Sequence, residues 1–180
     1  MNYKLLTAFV FLLVGCNPSE SKKQIRVYFD LKGYFESEVN RLTKSAVMVD
    51  KTTAKDGVSE TKKLNSIDWK NELSVFMASD INKPAWIKSY KTERKLEGSD
   101  STEVYTALDS ALHTRSLSIT WNKNHEVRKV LIVNSTRNGL YDLDETLQYI
   151  PDEMYQINRI QKAKMLKENK FSVKGLFEKR

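Results

Sequence analysis

The stretch SLSITW, residues 116–121, decides the fold class, because apolar and polar side chains alternate along it without a break. In an extended chain Leu117, Ile119 and Trp121 point to one side and the intervening hydroxyl side chains point to the other. The alternation predicts a β-strand with one buried and one wet face. Such a strand is typical of an antiparallel sheet that is covered on one side.

Period-two patterns continue over most of the chain after Ala85. Short polar segments separate the runs, and 122–125, 151–153 and 167–169 are natural turns between antiparallel neighbours. The pattern therefore predicts a long antiparallel meander. Its strands are expected at 86–90, 103–108, 112–121, 126–134, 145–150, 154–165 and 171–177.

A helix is expected at the start of the folded part, where apolar residues recur at helical spacing over 31–42. Asp30 precedes this run and is a suitable N-cap. Phe29 and Tyr34 flank the cap at the spacing of a hydrophobic staple, which predicts that the two rings touch.

A second helix is expected to begin at Ser66 or Asp68 and to end before Pro84, which has no N–H to donate. We therefore predict an α+β fold, with two N-terminal helices packed on a curled antiparallel meander that can form a half barrel. The apolar side of the second helix carries Trp69, Leu73, Phe76 and Met77.

Asp56 and Gly57 give the strongest hairpin signal, because both positions of a type I′ turn require positive φ. The distal half of this hairpin has few apolar residues and is expected to project into solvent. The turn fixes the register of the two strands, which places Thr53 opposite Glu60, Thr52 opposite Thr61 and Asp50 opposite Lys63.

The first residues have the pattern of an export signal, with Lys4 followed by an apolar run over 5–14. The run is too short to span a bilayer, which takes about 20 apolar residues. Cys16 follows it and is the only cysteine in the chain, so it cannot form an internal disulfide.

The tetrad Leu13-Val14-Gly15-Cys16 resembles the lipobox of bacterial lipoprotein precursors. The resemblance implies cleavage after Gly15 and lipidation of Cys16, and thus anchoring to a membrane in the bacterial cell envelope. It divides the chain into a signal peptide over 1–15, a lipidated cysteine with a short polar tether over 16–24, and a single α+β domain over 25–180.

The segments 29–42, 68–69 and 80–84 are similar to uncharacterised small lipoproteins of Bacteroidota, from which no activity carries over. In lipoproteins generally, the residue after the lipidated cysteine helps sorting. Asn17 is not the aspartate of inner-membrane retention, and no acidic run of the surface-display type follows it. We therefore expect attachment to the outer membrane, with the domain facing the periplasm.

The formal charge of the whole chain is +7, and removal of 1–15 leaves 29 basic and 23 acidic residues, a balance of +6. For a chain addressed to the envelope, we expect an anionic lipid, a glycan or an envelope protein as partner rather than nucleic acid. The best basic patch surrounds one hairpin, although lysines also protect solvated strand edges. It consists of Lys162, Lys164, Lys167 and Lys170.

Catalytic motifs are missing from the sequence. His113 and His125 have no second histidine or cysteine at a metal-ligand spacing, and neither a Gly-x-Ser-x-Gly elbow nor a phosphate-binding glycine loop occurs. We expect no cofactor and no metal. The sharpest acidic cluster, Asp142, Asp144 and Glu145, could bind calcium, but acids capping a loop are the favoured interpretation.

Aromatic residues are concentrated in the strand half, where a curled sheet could line a ligand pocket with them. Packing in the core is the ordinary use of such residues. The candidates for ligand contact are Trp86, Tyr105, Trp121, Tyr149 and Tyr155.

The sequence favours a non-enzymatic binding or accessory protein facing the periplasm. The alternative is a carrier or receptor for lipids or other apolar ligands, with a half-barrel cavity, and a hydrolase is the weaker alternative. A carrier needs an unfilled apolar cavity, whereas an accessory protein fills its core and exposes a patch.

Overall fold

The computed structural model describes residues 27–163 and 167–178. These residues are mostly β with some helix, and the sheet is antiparallel and not closed. Cys16, the export segment and the tether precede the described residues, and Lys164 lies in the gap. Among the described residues no helix has the length and apolarity needed to cross a membrane.

The elements follow one another as a helix, a hairpin, two short helices and seven strands. The helices are α1 (Leu31–Ser45), α2 (Trp69–Glu72) and α3 (Ser74–Ala78), and a short 3-10 helix covers Pro84–Trp86. The strands are β1 (Val49–Lys55), β2 (Val58–Leu64), β3 (Tyr90–Glu97), β4 (Asp100–Ala107), β5 (Thr114–Trp121), β6 (Val127–Arg137), β7 (Tyr141–Ile150), β8 (Met154–Ala163) and β9 (Asn169–Phe177).

The strand order in the nine-stranded sheet is β2-β1-β9-β8-β7-β6-β5-β4-β3. From β3 to β9 each strand pairs with its successor, which confirms the predicted meander. The N-terminal hairpin extends the same sheet, because β1 pairs with β9 from Val49 opposite Phe177 to Lys55 opposite Phe171. The N-terminal hairpin and the last strand of the described chain thus lie side by side.

The start of α1 is as predicted. The Asp30 side chain accepts a hydrogen bond of 3.1 Å from the Gly33 N–H. The rings of Phe29 and Tyr34 lie 5.7 Å apart, which confirms the hydrophobic staple. The face of α1 that meets the sheet is fully buried at Leu31, Phe35 and Leu42.

The prediction of one continuous second helix is wrong, because α2 and α3 are separated at Leu73. Asp68 is the N-cap and accepts a hydrogen bond of 3.1 Å from the Asn71 N–H. The Ser74 hydroxyl donates 2.6 Å to the Asn71 carbonyl, and such local bonds compete with the helical ladder. The chain turns at this point and still buries Trp69 and Phe76.

The predicted hairpin register is confirmed in all three pairs. Asp56 and Gly57 have φ of 50° and 90°, the positive values that a type I′ turn requires. The expectation that the distal half projects into solvent is wrong for β1, since main-chain pairing with β9 continues to Lys55. Strand β2 is the outer strand and is exposed over most of its length.

The prediction of a strand over 86–90 is wrong, because Pro84 begins a 3-10 helix and the strand starts only at Tyr90. Strand β3 itself was not expected from the sequence, since seven of its eight residues are exposed and give no apolar alternation. Strand β5 begins two residues later than expected, at Thr114, and β4, β6, β7 and β9 are longer than expected. The expected end of β8 at 165 lies outside the described residues.

The core lies between the helices and one face of the sheet, which we call the helix-bearing face. Leu117 and Ile119 are fully buried there, as the alternation in β5 predicts, whereas Trp121 is half-buried. Aromatic rings fill the centre, where Phe35 lies 4.8 Å from Phe76 and 5.2 Å from Tyr149 between ring centroids. The opposite side of the sheet is the helix-free face.

Candidate functional site

The five aromatic candidates divide into two groups. Tyr105, Tyr149 and Tyr155 are core residues, with exposed fractions of 4%, 0% and 0%. Trp86 and Trp121 are half-buried at the rim of the core. Among these candidates, the two tryptophans are therefore the ones that a ligand could reach.

The three buried tyrosines each donate a hydrogen bond to a carboxylate. Tyr105 donates to Glu103 over 2.6 Å. Tyr155 donates to Glu72 over 2.7 Å, and Tyr149 donates to Glu38. Burial, and secondarily the neighbouring carboxylate, raises the pKa of each phenol. These tyrosines are neutral donors that satisfy polar groups at the edge of the core.

Two of the carboxylates also form ion pairs. Glu38 accepts from Arg41 at 2.7 Å, and Glu72 lies 2.7 Å from the Lys51 ammonium. Each is thus shared between a tyrosine and a cation, which compensates for its partial burial. Glu38 lies on the buried face of α1 together with Leu31 and Leu42. Its partner Tyr149 is on a distant strand, which spacing along the chain cannot identify.

The acidic candidates lie in β7 and not in a loop, so that expectation is wrong. Because side chains alternate, Asp142 and Asp144 lie on the helix-free face and Glu145 on the helix-bearing face. Arg137 holds Asp144 through two contacts of 2.7 and 2.8 Å, and this guanidinium lowers the pKa of the Asp144 carboxyl. Among the described residues no three metal-ligating side chains converge.

Glu145 is the centre of a buried polar cluster, which consists of Ser79, His113, Asn134, Thr136, Glu145 and Arg159. Glu145 is only 4% exposed, and it accepts a hydrogen bond of 2.6 Å from the Arg159 guanidinium. Asn134 is fully buried and donates to Ser79 at 2.9 Å and to Glu145 at 3.4 Å. Its carbonyl oxygen has no partner in the described part of the chain.

His113 lies at the exposed side of the polar cluster. Its Nδ1 is 2.9 Å from the Thr136 hydroxyl, and its Nε2 is 3.9 Å from Glu145, an ion-pair distance and not a hydrogen bond. Burial lowers the pKa of His113, Lys83 lowers it further, and Glu145 opposes both. The imidazole is therefore neutral at neutral pH. His125, the other histidine, is exposed in the turn before β6.

The polar cluster places an imidazole between a hydroxyl and a carboxylate, which are the groups of a hydrolytic triad. In a triad, however, the acid hydrogen-bonds the imidazole and orients it. Glu145 instead holds Arg159 and accepts from Asn134. This geometry serves mainly to join β6, β7 and β8 to the end of α3. Sequence reasoning identified His113 and Glu145 separately and could not place them together.

The surface of the described residues has shallow depressions that are open to solvent. One, of about 240 Å³, is lined by Ala54, Asn158, Ile160 and other residues at the end of the sheet near the β1–β2 turn. Another, of about 550 Å³, lies beside Arg41 and Asp152. Of the predicted basic patch, Lys162, Lys167 and Lys170 are exposed, and Lys170 borders the first depression.

The helix-free face is not covered by any described helix. From β4 to β8 the middle of this face is uncharged, with hydroxyl and carboxamide side chains between aliphatic ones, and charges lie at the strand ends. Thr102 and Thr120 share a hydrogen bond of 2.9 Å across two strands. Val133 and Ile160 are 38% and 42% exposed.

No protein-family model, curated protein or solved structure matches the chain.

Proposed function

We propose that the protein is a lipid-anchored lipoprotein of the bacterial envelope with a non-enzymatic binding or accessory role. It is attached to the outer membrane through Cys16 and faces the periplasm. The observation that carries the binding role is the uncharged middle of the helix-free face, which no described helix covers. Its partner is an envelope protein.

The composition of the helix-free face supports this role. Charged residues are depleted at the centres of protein interfaces and frequent at their rims. The middle of the helix-free face follows this rule, with Ser118, Val133 and Gln148 at the centre and Lys129 and Asp142 near strand ends. The aliphatic side chains of this face offer apolar surface that a partner can bury, and its hydroxyl and amide groups can form hydrogen bonds with that partner.

The anchor is supported by the N-terminal segment. The tetrad 13–16 resembles a lipobox. Cys16 has no second cysteine in the chain with which to form an internal disulfide, whereas lipidation needs only one cysteine. The polar tether 17–23 has seven residues and spans about 23 Å when fully extended. A domain on such a tether stays close to its membrane and to partners in that membrane.

A carrier of apolar ligands is the alternative, and it requires the sheet to curl into a half barrel around an unfilled cavity. The helix-bearing face supports this less well, because Phe35, Phe76, Tyr149 and Tyr155 are fully buried and occupy the place where a ligand would lie. Two of these positions, Tyr149 and Tyr155, also anchor carboxylates of the helices.

A hydrolase is the weaker alternative, and the contact between His113 and Thr136 is its only support. Turnover of small chromogenic esters by the purified chain, lost in Thr136→Val, would favour it. Background rates that are equal in wild type and variant would count against it.

The experiment that tests the binding face is site-specific photo-crosslinking in intact cells with the anchor unchanged. A crosslinking amino acid is placed at Ser118 or Gln148 on the helix-free face, and at exposed Lys70 on α2 as the matched control. We expect a discrete crosslinked protein from the first two positions and none from Lys70. Equal products from all three positions, or products from Lys70 alone, would refute the proposed face.

A further inference from the structure

The sheet ends in β3, a long and regular edge strand. Within the described residues β3 pairs with β4 only. All eight of its residues follow one register with β4, whereas the pairing of β5 with β6 contains two register shifts. Natural edge strands are commonly short, bulged or lined with charged side chains, because a regular edge is a template for another strand. Strand β3 is neither short nor bulged.

The charges on one side of β3 alternate in sign. Lys91, Glu93, Lys95 and Glu97 are spaced by two residues, so all four side chains lie on the helix-free face. Lys91 and Glu93 are 2.6 Å apart within the chain, so these two neighbours in the row are in contact. The row carries no net charge.

We propose that β3 pairs antiparallel with β3 of a second copy of this chain, around a two-fold axis at Arg94. In this register Lys91 lies opposite Glu97 of the second copy and Glu93 lies opposite its Lys95. Because the axis repeats both contacts, four pairs of opposite charge form, and every charge of the row meets its opposite. Such directly opposed pairs stabilise antiparallel strands.

The other side of β3 is compatible with the same register. Leu96, which is 78% exposed, lies opposite Thr92 of the second copy and is partly covered by it. Arg94 lies opposite Arg94 of the second copy. Two guanidinium groups without counter-charges would repel each other. The Arg94 guanidinium is 3.7 Å from Glu103 on β4, so each copy brings its own counter-charge to the axis.

The opposite edge of the sheet fits a second copy less well. Centring an antiparallel pair on Thr61 of β2 places Glu60 opposite Lys62 but leaves Lys63 opposite Ser59. Lys63 is already paired with Glu178 of its own chain. The β3 edge thus has the more complete charge match, and its pairing does not depend on the proposed binding role or on the anchor.

Charge variants of the full chain, purified in mild detergent, test this pairing by sedimentation velocity. Lys91→Glu with Lys95→Glu makes the row wholly acidic, and Glu93→Lys with Glu97→Lys makes it wholly basic. We expect each double variant to self-associate at least tenfold more weakly than wild type, and a mixture of the two to associate again. The variant with all four changes restores opposite charges at every pair and should associate like wild type. In both, association should be stronger at low salt than at high salt.

Unchanged self-association of both double variants would overturn the proposal, and so would a wild-type chain that stays monomeric at every concentration. A disulfide test identifies the register. In a Cys16→Ser background, Arg94→Cys is expected to crosslink to itself, because directly opposed residues lie about 5 Å apart, within the range of a disulfide. Thr92→Cys faces Leu96 and serves as the control. Equal crosslinking at both positions would overturn the two-fold axis at Arg94.

Discussion

The ring of Tyr155 lies against the bare backbone of Gly175, its cross-strand partner in β9. A Cβ atom at Gly175 would come within 2.0 Å of Cε1 and 2.4 Å of Cζ of this ring. The absence of a side chain at Gly175 therefore lets Tyr155 lie flat on the sheet, with its hydroxyl reaching Glu72 on α2.

We expect Gly175→Ala to destabilise the protein by about 1–3 kcal/mol, because the added methyl group must displace a buried ring. The free energy of unfolding from denaturant titration measures the effect. Gly139→Ala is the control, since a Cβ there meets no atom within 4 Å. Equal stabilities of the two variants would contradict the close contact.

Tyr149→Phe removes the hydroxyl that donates to Glu38 and keeps the ring. We expect a loss of about 1–3 kcal/mol, because the buried carboxylate loses a hydrogen bond while Arg41 remains its partner. Tyr141→Phe, at a half-buried position in the same strand, should change the free energy of unfolding by less than about 0.5 kcal/mol. Similar losses in the two variants would show that the Glu38 contact contributes nothing.

Alkaline pH should destabilise the protein. Burial raises the pKa of Tyr90, Tyr105, Tyr149 and Tyr155 above the ordinary value, so the folded chain keeps protons that the unfolded chain releases. The contribution of these phenols to the free energy of unfolding is fully present below a pH of about 10, the pKa of an unfolded tyrosine. It decreases as the pH rises above that value. In the double variant Tyr149→Phe with Tyr155→Phe, the free energy of unfolding should fall less steeply with rising pH than in wild type. An identical pH dependence in wild type and variant would exclude these phenols as the cause.

Arg159→Met removes the cation from the buried carboxylate of Glu145. The carboxylate is buried while the guanidinium is 40% exposed, so the variant leaves a buried acceptor with one partner fewer, and we expect a loss of about 1–3 kcal/mol in thermal or denaturant unfolding. Arg128→Met breaks a more exposed pair with Asp100, at 3.4 Å, and should cost less than about 1 kcal/mol. A smaller loss for Arg159 than for Arg128 would contradict the burial of Glu145.

Local patterns predicted those parts of the fold that depend on neighbouring residues. Alternation around Leu117 identified the sheet and its buried face, the Asp56 turn fixed a complete register, and Asp30 marked the start of α1. In each case the residues that carry the signal also make the contact, so the spacing along the chain was sufficient.

Long-range relationships could not be predicted. Nothing in β1 shows that it pairs with β9, because main-chain hydrogen bonds leave no mark on side-chain pattern. Strand β3 was missed for the same reason, since its row of charges contains no apolar period. The burial of Glu38 and Glu145 depends on Tyr149 and Arg159, which come from other elements and cannot be matched to them by spacing.

Lipidation of Cys16 is tested by the intact mass of the chain extracted from bacterial membranes, beside the same measurement on Cys16→Ser. We predict that the wild-type mass lacks residues 1–15 and includes acyl groups on Cys16, and that Cys16→Ser leaves the membrane fraction or remains uncleaved. Membrane retention of Cys16→Ser with a cleaved, unlipidated mass, or a wild-type mass without acyl groups, would show that Cys16 is not the lipid anchor.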